Sequence, residues 1–144
     1  MSVFNKILDL KASAETTKSF LHYVSTNDPV KGIEEMIKAD NVYYTYFFIR
    51  MGFRDLSKRD QKSSQNLPLI FECLKESAFK CFFLLFLNDF DLTYVMEDGG
   101  TLLHYIASFG FEQLLLFMDR VGIIRKETKN NNNETAWDVF EKST

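Results

Sequence analysis

Residues 99–110 read Gly-Gly-Thr-Leu-Leu-His-Tyr-Ile-Ala-Ser-Phe-Gly. Leu103, Ile106 and Ala107 fall at helical spacing, and Gly110 stands where a short helix would end. A helix this short and apolar cannot bury its own face, so neighbours must cover it. The same pattern recurs along the chain. Thr135 lies 34 residues after Thr101, in ETAWDVFEK. Leu67 lies 34 residues before it, in NLPLIFECLKES, and Lys31 a further 36 before that, in VKGIEEMIKAD. Each anchor opens a run with apolar residues at helical spacing: Ile33, Met36, Ile37; Leu69, Ile70, Cys73; Leu103, Ile106, Ala107; Trp137, Val139, Phe140.

The first three runs are followed by a second apolar helix, at 41–53, 77–90 and 111–123. Polar, turn-forming stretches then follow at 54–66, 91–100 and 124–133. The unit is therefore helix, turn, helix, long polar loop. This predicts an all-α chain whose repeats occupy 29–65, 66–98, 99–133 and, in part, 134–144. Residues 1–28 fall outside the period and read as an N-terminal helical cap. Val3, Phe4, Ile7, Leu8 and Leu10 line one helix there; Phe20, Leu21, Tyr23 and Val24 line another that ends before Asp28-Pro29. SFLHYVSTND (19–28) also echoes TLLHYIASFG, which leaves a decayed repeat helix open as the other reading.

Gly100 to Gly110, with Thr101, Leu103, His104 and Ala107, resembles the G-x-T-P-L-H-x-A-A-x-x-G signature of ankyrin repeats. Thr135 to Lys142 is similar to the first helix of a following repeat, and Leu67-Pro68-Leu69-Ile70 keeps the Pro-Leu part. The resemblance covers residues 29–143, and the family period is about 33 residues. It implies an ankyrin-like solenoid of stacked helix pairs with hairpin-like loops. It also implies that Thr101 and His104 are scaffold groups that satisfy the turn, and that Gly110 takes positive φ. Departures from the pattern have consequences. Asp40 and Glu76 stand in the place of the glycine, so those turns should be strained or reshaped. Ile70 and Asp138 replace the histidine. Asn133 stands where the family has its turn glycine, which favours a hairpin tip at 130–133 over a flexible tract.

The composition bounds the function. The 144 residues are 46% hydrophobic, with 15 Phe and 6 Tyr, so an aromatic core is expected. The net charge is −3 and no basic stripe exists, which argues against nucleic acid and anionic membrane. The most apolar run, 78–87, is far shorter than the ~20 residues of a membrane span. Cys73 and Cys81 lack metal-ligand spacing and read as reduced core thiols of a cytoplasmic protein. No phosphate-loop, zinc-protease, nucleophile-elbow or dinucleotide motif occurs, so neither an enzyme nor a cofactor is expected.

The resemblance implies a protein partner bound along hairpin tips and the outward positions of the first helices. On this chain those positions are Lys38, Asn66, Leu74, Lys75, Glu97, Asp98, Ser108, Phe109, Asn131 and Asn132. Phe109 and Leu74 are the expected apolar anchors, with Lys75, Glu97 and Asp98 setting specificity. A small inhibitor or host-directed adaptor fits this reading, as several ankyrin proteins of viruses and intracellular bacteria are, with host cytosol or nucleus as the setting. The alternative is a structural, self-associating repeat domain, either a dimer or a fragment of a longer protein, that uses its open C-terminal end, where the helix at 135–143 lacks a second helix.

Overall fold

The computed structural model describes residues 14–52 and 67–143. The regular elements among them are eight α-helices, so the protein is all-α. They are α1 (Ala14–Thr26), α2 (Pro29–Lys38), α3 (Val42–Gly52), α4 (Leu69–Lys75), α5 (Phe79–Leu87), α6 (Leu102–Ser108), α7 (Glu112–Val121) and α8 (Ala136–Ser143). The expected helix over residues 3–10 lies outside the described residues. The chain divides after Asp91 into two compact units.

In the first unit α2 packs on α1, α3 and α4, while α5 packs on α3 and α4. First helices thus meet first helices, and second helices meet second helices. Local chemistry sets the boundaries. Asp28 caps α2 by accepting from the Lys31 N–H, and Pro29 fills a first-turn position that needs no donor. The helix therefore starts two residues before the Lys31 anchor. Asn41 Oδ1 accepts from the Tyr44 N–H at 2.9 Å and opens α3 in the same way. The core holds Ile33, Met36, Ile37, Phe48, Ile49, Leu69, Ile70, Phe71, Phe82 and Leu85, all essentially sealed from solvent. Phe20 of α1 stacks on Tyr44, with ring centroids 4.0 Å apart, and meets Phe48 edge-on.

Gly32 makes the α2–α3 contact possible. A Cβ there would sit 2.3–2.9 Å from the Phe48 ring. Alanine is the better helix former by about 1 kcal/mol, yet overpacking of a rigid ring costs roughly 1–3 kcal/mol. Gly32→Ala is therefore expected to lower the denaturation midpoint, and Phe48→Leu in the same chain to restore part of it. A Gly32→Ala protein as stable as wild type would mean that Phe48 moves aside freely.

In the second unit α6 packs on α7 and on α8 around Leu102, Leu103, Ile106, Ala107, Leu115, Met118 and Ala136. Trp137 is half-buried and donates its indole N–H to Asp119 Oδ2 at 3.2 Å.

Left-handed residues punctuate both units at one register. Asp40 (φ 48°), Ser77 (φ 55°) and Gly110 (φ 75°) each stand two residues after α2, α4 and α6. Only glycine takes this conformation without strain, although Asp and Asn tolerate it. The expectation for Glu76 is corrected by one position. Glu76 has φ −94°, and Ser77 carries the strained backbone.

Candidate functional site

Two hairpin tips lie in the second unit, 34 residues apart, with the same bonding. In the first, the Met96 N–H donates to the Gly100 carbonyl at 2.8 Å and the Gly99 N–H to the Met96 carbonyl at 2.9 Å. In the second, the Asn130 N–H donates to the Glu134 carbonyl at 2.9 Å and the Asn133 N–H to the Asn130 carbonyl at 3.0 Å. Gly99 and Asn133 hold matching left-handed positions, φ 80° and 61°. The asparagine run is thus a built tip. Asn130 Oδ1 also accepts from the Asn132 and Glu134 N–H groups, a side-chain turn that asparagine and aspartate make readily.

The tips are joined to each other. The Asn131 N–H donates to the Asp98 carbonyl at 2.8 Å, and its side-chain amide to the Glu97 carbonyl at 3.3 Å. Gly99 leaves room for this, because a Cβ there would lie 2.6 Å from Asn131 Oδ1. Asp98 Oδ1 accepts from the Gly100 N–H at 2.8 Å.

His104 ties the second tip to the start of α6. Its Nδ1 lies 3.0 Å from the Thr101 N–H and 3.0 Å from Thr101 Oγ1, and its Nε2 lies 2.9 Å from the Glu134 carbonyl. The backbone N–H can only donate and the carbonyl can only accept. Nδ1 is therefore the acceptor, and the ring carries its proton on Nε2. His104 is 4% exposed and serves the turn. Thr135 and Asp138 cap α8 reciprocally: the Thr135 N–H donates to Asp138 Oδ2 at 2.9 Å, and the Asp138 N–H to Thr135 Oγ1 at 3.2 Å. The first of these bonds holds the Asp138 carboxyl below its ordinary range. The Lys142 ammonium, 2.8 Å away, does the same to Glu134, helped by Asn130.

Phe109 follows the last residue of α6, about 12 Å along the helix axis from Thr101. It is 39% exposed. Tyr105 meets it edge-on at 5.0 Å and Phe111 stacks at 5.4 Å. Its ring is therefore braced in place while one side faces water. Ser108 is exposed and donates its hydroxyl to the Tyr105 carbonyl at 2.7 Å. Glu97, Asp98, Asn131 and Asn132 are also exposed. The second unit thus presents six of the ten expected positions at its surface.

Of the other four, Lys38 and Lys75 are exposed on the first unit, with Lys38 3.8 Å from Glu35. Asn66 lies outside the described residues. Leu74 is a correction: it is 0% exposed, packed in the core that α4 shares with its neighbours. The side chains of α4 are buried from Leu69 through Leu74, because α2 and α5 both pack on this seven-residue helix. It has no outward apolar position to offer.

Sequence reasoning missed Tyr105 and Phe111 as supports of Phe109. Their i, i+4 and i, i+2 spacing about Phe109 was the available signal. It also missed the use of Asp40. The Asp40 carboxylate accepts from the Cys81 N–H at 3.1 Å, in the first turn of α5. A residue of one turn thereby caps the second helix of the next pair.

Among the described residues, no group of three His, Cys, Asp or Glu side chains could hold a metal ion. Burial pushes the Cys73 thiol well above its ordinary range and the Cys81 thiol up to about 12. Cys81 Sγ lies 3.4 Å from the Thr45 hydroxyl. Both thiols are neutral at pH 8, and thiolate is the reacting form. Iodoacetamide should therefore label neither cysteine in the native protein and both in denaturant. Rapid native labelling of either would contradict the sealed core around α4 and α5.

No helix among the described residues is long and apolar enough to cross a membrane. No family model matches the chain, and no curated protein sequence matches it.

Proposed function

We propose that the chain is a divergent ankyrin-like module that binds a partner protein at the hairpin-tip surface of its second unit. The observation that carries this is the pair of identically bonded tips, 34 residues apart and joined through Asn131. The left-handed register at Asp40, Ser77 and Gly110 and the His104 bridge add support. Tips tied to one another and to α6 make a preorganised surface, which lowers the entropy lost on binding. Glu97 and Asp98 give it an acidic edge, and Phe109 supplies the braced aromatic anchor of the kind that dominates interface energetics. With Leu74 in the core, the anchoring falls to Phe109. The protein acts by occupying its partner, as an adaptor or inhibitor, without catalysis.

The test is affinity capture of partners with wild type beside Phe109→Asp, read by mass spectrometry. Phe109 is surface-exposed, so the mutant should keep its helical circular dichroism and lose the captured protein. Glu97→Lys with Asp98→Lys should weaken the same capture by about tenfold or more. An identical set of proteins on wild type and both variants would refute the assignment of this surface.

A further inference from the structure

The second helices of the first unit carry an unusual outer surface. On α3, Thr45, Phe48 and Ile49 face the core, while Tyr46, Phe47, Arg50 and Met51 are exposed. On α5, Cys81, Phe82 and Leu85 are buried, while Phe79, Lys80, Phe83 and Leu87 are exposed, Leu87 by 75%. At 3.6 residues per turn, Tyr46, Phe47 and Arg50 share one side of α3, and Phe79, Lys80, Phe83 and Leu87 share one side of α5. The two helices pack against each other, so the two sides belong to one unit. A solvent-facing helix side in a globular protein is ordinarily polar, and an apolar surface of this kind marks an interaction site.

Its charge is one-sided. Neither helix contains an Asp or Glu. Arg50 and Lys80 are exposed, and neither forms a salt bridge with a described residue. We propose that this face is a docking site for an acidic amphipathic helix of a partner protein. Such a helix would lay apolar residues at i, i+3, i+4 and i+7 over Tyr46, Phe47, Phe83 and Leu87, with flanking carboxylates on Arg50 and Lys80. Charge selects among occupants. A second copy would set Arg50 and Lys80 against the same cations. The carboxylates of an acidic helix meet complementary charge at the face itself, from Arg50 and Lys80.

The probe is a fluorescently labelled synthetic peptide of about 18 residues, ~27 Å long as a helix, with Leu at the four anchor spacings and Glu on its flanks. A second peptide has every Glu replaced by Lys. Anisotropy titrations with the full chain should give saturable binding of the Glu peptide, at least tenfold tighter than of the Lys peptide. Leu87→Asp should abolish it. Arg50→Glu with Lys80→Glu should reverse the preference between peptides. All these changes lie at exposed positions, and circular dichroism confirms folding. Phe109→Asp should leave the peptide titration unchanged, so this proposal stands or falls apart from the tip surface. Absence of saturable binding, equal binding of both peptides, or a preference untouched by charge reversal would overturn it. So would a concentration-dependent mass in sedimentation that Leu87→Asp removes, which would assign the face to a second copy. Binding to phosphatidylcholine–phosphatidylserine vesicles without peptide binding would assign it to a membrane surface.

Discussion

Replacing His104 with alanine is expected to destabilise the protein by ~3 kcal/mol. The imidazole is almost wholly buried; it is the acceptor for the Thr101 N–H, and it donates to the Glu134 carbonyl, which would keep only the Asn130 N–H. Each buried polar group left unsatisfied costs about 1–3 kcal/mol. The loss falls on both ends of the linkage, at the start of α6 and at the tip that precedes α8. Urea denaturation followed by circular dichroism should show a lower midpoint. A variant as stable as wild type would release His104 from its scaffold role and reopen a chemical one.

The second large effect concerns Leu74. Truncation to alanine removes a fully buried side chain from the most tightly enclosed helix of the first unit. Leu→Ala at such sites costs about 2–5 kcal/mol, according to how far the cavity collapses. Leu74→Ala should therefore lower the denaturation midpoint sharply, whereas Phe109→Ala should change it by less than ~1 kcal/mol. Equal and small effects at the two positions would place Leu74 at the surface, where the sequence pattern had put it.

That contrast shows what the sequence could convey. Apolar spacing located every described helix from α2 onward and the second helix of the N-terminal region, since 3.6-residue periodicity reports directly on which side is buried. The tip at 130–133 was legible because asparagine has a particular backbone tolerance. Leu74 was misplaced because the outward position carried over from the family resemblance assumes that the first helix has an outside. Flanked by α2 and α5, α4 has almost none. Glu76 was misread by one residue because α4 follows its cap Pro68, one position after the Leu67 anchor, so the left-handed residue shifts to Ser77. Phe109 was legible as an outlier, an aromatic where solvent was expected. Its bracing by Tyr105 and Phe111 depends on three-dimensional ring geometry. The apolar outer face of α3 and α5 lay hidden in plain view. A strongly apolar helix reads as core, and only the fold reveals which side is left over.

Asp40 has a consequence for the evolution of the chain. Its bond to the Cys81 N–H spans 41 positions, a stretch that contains α3, residues 53–66 and α4. The entropy of closing a chain segment grows only as the logarithm of its length, about 0.6 kcal/mol per doubling. Inserting or deleting a few residues between α3 and α4 therefore barely changes the cost of bringing Asp40 to α5. The contact acts as a fixed seam, and the length between its ends is free to drift. This accounts for left-handed turns spaced 37 residues apart on this side of the chain and 33 on the other. Insertions there should be nearly neutral to stability, and a search for a strict period would pass over helix pairs separated in this way.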